Sequence, residues 1–506
     1  MKFKKLIAAI PAVCLLLSAF GSSTVVHAAD PKTVTSGALV EVYNGTQCTM
    51  SQQCGSLGEA WAKARSVSNS TNDTIITLGS NWMEDEVLTI DEDKKITLDL
   101  NGYFINRSRN HEIKSDGEVF RVSSGATFTV RDSNPRSVGY DGVKGGVITG
   151  GASGNTGGCV HIDENGLFRM EGGTIYDCIT DQDGGAIYVA GSSDNTGFYM
   201  TGGRIYGCKT IDSADECYGG AIYLNRGKVV ISNATIDDCY SEDDGGAIYS
   251  ERGSIILNNV IFSGNHCREK GGAIYTAHDI TKYIATTVQA HDCIFAGNEA
   301  NEDGGAVFIN DNPEHSQAVL FHNCKFRDNI AKGKAGAIYI NDDNIALSSC
   351  EITGNRAGGE GGGVYVDGRY NITLKGKMII KNNHSEKGKG VADLALNKYT
   401  LGTAYILNAG LYKGSEVYVG STSDSSVRIS EYMTKYQMDY FHTEDGTITL
   451  TEPKDMKTTW ITSSIFSEGG FYAVAIFGCA GIIGVVFLII RKKKTDQVTQ
   501  GGEDHD

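Results

Sequence analysis

Seven aromatic residues recur along one half of the chain, and their spacing suggests a shared task. Tyr188, Tyr223, Tyr249, Tyr275, Phe308, Tyr339 and Tyr365 each close a pentapeptide of the form GGAIY. Aromatic rings set out in one exposed stripe stack on sugar faces, since a ring offers a broad apolar surface with a polar tip. The same column would equally stack on itself and shield the backbone edges, or turn inward on a bent strand. Acidic residues crowd the corner just before the glycines: Asp181, Asp183, Glu242, Asp243, Asp244, Glu302 and Asp303. Clustered carboxylates suit a weak calcium site, for which Asp181, Asp183, Asp243, Asp244, Glu302 and Asp303 are the candidates. A solvated like-charge rim is the alternative. Glu269, Lys270, Lys332 and Lys334 interrupt the run, which weighs against a continuous cation stripe.

The thirteen cysteines are the third chemical feature. Cys178, Cys208 and Cys239 share one frame, and Cys293, Cys324 and Cys350 share another. Stacked Cα atoms at about 4.8 Å fall within disulfide range, but parallel Cβ vectors hold the sulfurs' carbons too far apart. Buried free thiols filling a core fit better. A metal is disfavoured because one stacked column does not surround an ion. Cys48 and Cys54, in CTMSQQC, are close in sequence and form a candidate local disulfide. No cofactor is implied.

Candidate enzymatic groups are few and scattered. Asp237-Asp238, Asp243-Asp244 and Asp342-Asp343 are adjacent pairs, each in the repeat frame or a corner. His161-Ile162-Asp163 and His291-Asp292 stand apart, and neither a GHG turn nor an Arg-x-Pro-x-x-Arg run occurs. A surface-anchored polysaccharide lyase or hydrolase therefore lacks its usual motifs, although fold alone does not exclude one.

Positioning these residues requires a repeating element. GGAIY-like starts fall at Gly157, Gly184, Gly219, Gly245, Gly271, Gly304, Ala335, Gly361 and, in the degenerate GKGVA, Gly388. A second element, Ile or Phe followed three residues later by Asn or Cys, runs from Ile175–Cys178 to Ile379–Asn382. Seven of its eight copies end six residues before the next GGAIY start; only Cys208 to Gly219 carries an insertion. Rungs of about 26 residues with short strands and no helix predict a parallel β-helix whose neighbours stack at about 4.8 Å. The fourth GGAIY position (Ile or Val) and the first FxxN position (Ile or Phe) should face the core. The ladder Asn should satisfy backbone groups at a corner. SIILNNVIF (Ser254–Phe262) reads as strands around an Asn-Asn bend.

GGAI followed by FxxN resembles the repeats of the chlamydial polymorphic outer-membrane proteins, and GGAIY…N is similar to methanogen adhesin-like proteins. The resemblance covers about residues 145–393. It implies a right-handed, single-stranded, pectate-lyase-like parallel β-helix displayed on a cell surface, often in adhesion. The chain departs from the chlamydial pattern in ending without an autotransporter barrel.

The flanks complete the expected organisation. Residues 1–28 have a basic start (Lys2, Lys4, Lys5), an apolar run from Leu6 to Phe20 and small residues at Val26-His27-Ala28, the pattern of a removable export signal. Residues 29–70 form an N-terminal segment with a capping helix, in which Leu57, Ala60, Trp61 and Ala64 share a face. The β-helix occupies 71–450, with AYILNAGLY, SEVYVG and GTITLTEP as closing strands, and 451–470 link it to the membrane. Phe471–Ile490 is twenty residues without a charge, about 30 Å of helix, and predicts a single transmembrane span. Arg491–Lys494 places the tail, 491–506, in the cytoplasm and the bulk outside. A net charge of −16 argues against nucleic acid. The expected partners are the membrane and an exterior glycan or protein. Sequence variation concentrates in insertions at Ala190–Gly197, Lys209–Tyr218, Ala277–Thr287 and Asn310–Gln317, the expected carriers of specificity. A structural spacer without a ligand is the remaining reading.

Overall fold

The computed structural model describes residues 36–463 apart from short internal stretches, the longest being 278–285 and 311–318. The export-like segment and Phe471–Ile490 lie outside the described residues. Among the described residues no helix is long and apolar enough to cross a membrane.

The repeat folds as a parallel β-solenoid with three faces. The GGAIY face stacks three-residue strands in strict register, as in Ile222–Leu224, Ile248–Ser250 and Ile274–Thr276. A second face is built from longer strands such as Lys228–Asp237 and Gly253–Ser263, paired parallel along their length. Each bends once, at Asn233 and Asn259, whose φ values of 51° and 53° lie in the left-handed region that Asn tolerates. The expected Asn-Asn bend is therefore present within one continuous strand. The third face is a sheet of nine two-residue strands, Ala152–Ser153 through His384–Ser385.

Each corner has its own backbone requirement. In the GG pair, Gly245 has φ 71° and a Cβ there would lie 2.6 Å from the Ile248 carbonyl oxygen, while one at Gly246 would lie 2.2 Å from the Gly272 carbonyl oxygen of the next rung. The first glycine is replaced once, by Ala335 at φ 60°. Both expected apolar columns face inward: Ile187, Ile222, Ile248 and Ile274, and Ile205, Ile236, Phe262 and Phe295, are fully buried. Burial of each such side chain contributes about 1.5–3 kcal/mol.

The helix over Leu57–Val67 buries the four residues expected of it. Ser56 caps it, accepting from the Glu59 N–H at 3.1 Å, and Glu59 returns the contact to Gly55 N at 2.9 Å. Trp61 packs on Phe120 and Phe128, with centroids 5.8 and 5.9 Å away, and covers the first turns. Ahead of it runs an antiparallel hairpin, Ala38–Asn44 with Gln47–Cys54. The hairpin separates the Cys48–Cys54 candidates. Both lie on one extended strand six residues apart, about 20 Å, far beyond disulfide reach. Cys48 is exposed, Cys54 is buried, and both are free.

The last rung also corrects the sequence frame. Val364 pairs with Leu394, so Leu394 holds the fourth GGAIY place of this rung; most of GKGVA, 388–391, lies outside the described residues. Likewise Ile380 and Asn383, not Ile379 and Asn382, hold the core and ladder places: Ile352 pairs with Ile380, and Asn355 bonds to Asn383. The six-residue step matched a copy of the motif that the hydrogen-bond register does not use. Beyond it, Tyr405–Leu411 pairs with Asn371–Gly376 and continues the long face.

Candidate functional site

The aromatic column is real but closed. Tyr223, Tyr249, Tyr275 and Phe308 pair in register across successive rungs. Their centroids are 5.2 Å apart and their planes within 13° of parallel. Tyr339 and Tyr365 continue the stack, and Tyr188 opens it. These rings form an apolar cluster separate from the main core, so they do point outward, as strand alternation requires. All but the half-buried Tyr188 are nevertheless buried, with Tyr249 and Tyr275 only 8 % exposed. The exposed stripe expected for sugar stacking is thus corrected: the ring faces lie against each other at the rung spacing. Their edges are also occupied. Tyr223 Oη donates to Glu251 at 3.2 Å, and Lys334 Nζ donates to Tyr365 Oη at 2.9 Å. Burial, aided by nearby carboxylates, raises the Tyr188 and Tyr275 phenols to about 12.

The corner carboxylates brace successive rungs rather than converge on a cation. Asp183 accepts from Tyr218 N at 3.0 Å, Asp244 from Lys270 N at 2.9 Å and Asp303 from Lys334 N at 2.6 Å. Asp243 accepts from Cys217 N at 2.7 Å and pairs with Arg268, while Glu302 pairs with Lys270. Asp181 sits on the same corner, where its backbone oxygen accepts from the Cys217 thiol. Among the described residues no group of three or more His, Cys, Asp or Glu is placed to hold a metal ion. The calcium candidates are corrected accordingly: Asp183, Asp244 and Asp303 sit in alternate rungs, each turned to a backbone N–H of the next rung, while Asp243 and Glu302 each meet a cation. Burial pushes the Asp183 and Asp244 carboxyls up to about 7.

The Asn ladder behaves as its spacing requires. Asn298 Nδ2 donates to Phe262 O at 3.1 Å and to Asn329 Oδ1 at 2.9 Å. Its own Oδ1 accepts from Asn265 N at 3.1 Å and Asn265 Nδ2 at 3.0 Å. The ladder ends on Asp393, which accepts from Asn383 Nδ2 at 2.7 Å. Sequence reasoning missed this terminator because it occupies the small-residue position of the following rung. Below Asn265 the same place is taken by Cys239, Cys208 and Cys178, all buried and free. Burial raises these thiols well above their ordinary range.

Among the described residues one histidine continues the aromatic column. His161 stacks on Tyr188 at 5.2 Å, its Nδ1 lies 3.0 Å from Thr156 Oγ1, and its Nε2 lies 3.1 Å from Asp163. Burial opposes the Asp163 charge, but hydrogen bonds from His161 and Arg121 hold its carboxyl below the usual range. The arrangement fixes the orientation of the ring. Of the insertions, 212–215, 278–285 and 311–317 lie outside the described residues.

The aromatic, Asn and corner-carboxylate columns of this repeat therefore connect one rung to the next. Residues 158–335 match a right-handed β-helix region. No curated protein and no solved structure matches the chain. The match begins at the second glycine of the first GG corner and ends at Ala335, the corner of the seventh copy, so it falls within the stacked part of the β-helix.

Proposed function

We propose that this β-helix is a membrane-anchored, non-catalytic display protein of the cell exterior that binds a glycan or protein ligand. One observation carries the reading: the repeat's Tyr, Asn and Asp columns are all engaged in rung-to-rung contacts. Its regular residues then build the scaffold, and recognition falls to the outward positions and insertions that differ from rung to rung. The export-like start and the apolar stretch Phe471–Ile490 before Arg491–Lys494 support a tethered exterior location. At about 4.8 Å per rung, the eleven strands of the GGAIY face, Leu88–Ile90 to Leu394–Leu396, span roughly 50 Å, which favours a role near the envelope.

The test uses cells making the full chain. Protease added outside should release the β-helix, and a chain stopped before Phe471 should appear in the medium. Glycan-array binding by the chain should fall when Ala277–Thr287 and Asn310–Gln317 are replaced by short linkers. An intracellular, protease-shielded chain would refute the location. Release of reducing or unsaturated sugar from acidic polysaccharides would refute the non-catalytic reading.

A further inference from the structure

The inner column at the bend of the long strands changes from carbon to sulfur. Ala234 and Val260 occupy it in two rungs, and Cys293, Cys324, Cys350 and Met378 occupy it in the next four. All are buried. The Cys324 thiol donates to Ala290 O at 3.5 Å, in the rung before, the Cys350 thiol to Phe321 O at 3.4 Å, and Cys350 N donates to Met378 Sδ at 3.3 Å. Four successive rungs thus bring four sulfurs into one file. A surface cleft reaches it: Cys324 and Cys350 line the cleft together with Lys325, Lys377 and Glu351.

A stacked file cannot surround a four-coordinate ion, which agrees with the lack of any three-ligand cluster among the described residues. Two-coordinate ions make a different demand, one sulfur on each side. Two metal–thiolate bonds of about 2.3 Å span about 4.6 Å. Parallel strands repeat at about 4.8 Å. We propose that Cys324 and Cys350, with Cys293 directly behind them, form a binding site for a soft monovalent d10 cation of the Cu(I) class. Thiolates and thioethers select such ions over Mg²⁺ or Ca²⁺. Binding replaces two thiol protons by one M⁺, releases two H⁺ and transfers no electron. The resulting bis-thiolate unit carries one negative charge, and Lys325 and Lys377 at the cleft supply the opposite sign. The site does not depend on the display role proposed above.

The experiment titrates the reduced full chain with Cu(I) under anaerobic conditions, in a Cys48→Ser background that removes the exposed thiol, against a competing Cu(I) chelator. The expected result is one retained equivalent, two protons released, and a two-sulfur copper environment by X-ray absorption. Cys324→Val should weaken that equivalent by about 100-fold or more. Val260 and Ala234 hold the same place in neighbouring rungs, so Cys324→Val and, as a second variant, Cys324→Ala are compatible with the fold. Cys208→Ala, in the other thiol column, should leave the equivalent intact. No retained equivalent in the parent, retention in both Cys324 variants, or loss in Cys208→Ala would each overturn the proposal.

Discussion

Replacing Asn298 tests whether the ladder holds the corner together or merely fills it. Its side chain makes four hydrogen bonds at 2.9 to 3.1 Å, two given and two received, and it is fully buried. Asn298→Ala leaves two buried donors, Asn265 N and one hydrogen of Asn265 Nδ2, without their acceptor. Each orphaned donor costs about 1–3 kcal/mol. The vacated amide adds a cavity, so the sum is about 3–5 kcal/mol. Asn298→Asp keeps the acceptor but turns an oxygen towards Phe262 O and Asn329 Oδ1. It should remain protonated to donate there, so its destabilisation should grow as pH rises. Urea unfolding followed by far-UV circular dichroism gives the magnitude. Hydrogen exchange on peptides containing Asn265 gives the location, because a solenoid can open rung by rung. An Asn298→Ala chain within about 1 kcal/mol of the parent, with Asn265 still protected, would refute the ladder as a structural support.

Four further outcomes follow from the same geometry. Asp244, 7 % exposed, has a folded pKa of about 7, above its ordinary 3.8, so the folded state holds more protons and stability should fall as pH rises from about 4 to 7. Asp244→Asn keeps an acceptor for Lys270 N and should flatten this dependence, gaining at most about 4 kcal/mol at pH 8 in denaturant melts. Gly246→Ala pushes a Cβ to 2.2 Å from the next rung's backbone and should cost more than about 3 kcal/mol, whereas Gly245→Ala, like natural Ala335, should cost about 1–2 kcal/mol. Tyr249→Ala removes a ring stacked on both faces and should cost about 3–5 kcal/mol, visible as a lowered melting temperature. Under oxidant, mass mapping of the folded chain should find no Cys48–Cys54 bridge and should find labelling at exposed Cys48 ahead of buried Cys54.

The repeat was legible because its constraints are local and periodic. Ile at the fourth GGAIY place and Phe at the first FxxN place must alternate inward, and the six-residue step fixes the corner between them. What the spacing could not supply was the environment of the outward side chains. Alternation sends Tyr249 away from the core, but whether a ring is open depends on its neighbours one rung up and down. With an aromatic at the same place in successive rungs, stacking at 5.2 Å closes both faces. Six aromatics following Tyr188 in one column were therefore a sign of self-association, which a single isolated aromatic would not have given. The frame failed at Asn382 for a related reason. Asn382-Asn383 offers two candidates for one ladder place, and the six-residue count chose Asn382, whose φ of 59° marks it as the corner residue instead. Asn383 has the partner, Asp393, and the pairing decides.

The same logic ranks the chemistry that remains. A residue type repeated in every rung is explained by the rung below it, so its repetition is evidence for scaffold rather than site. Departures from the repeat carry more information. Val260 shows that a hydrocarbon suits the bend column, yet three rungs in succession place a thiol there and a fourth a thioether. Packing accounts for a buried Cys at any one of them. It does not require sulfur at four successive places of the file beside a cleft with two lysines. If Cys324→Val proves as stable as the parent while copper retention is lost, stability will have been separated from function at one position, and the thiol file will be a site that the scaffold holds without needing it.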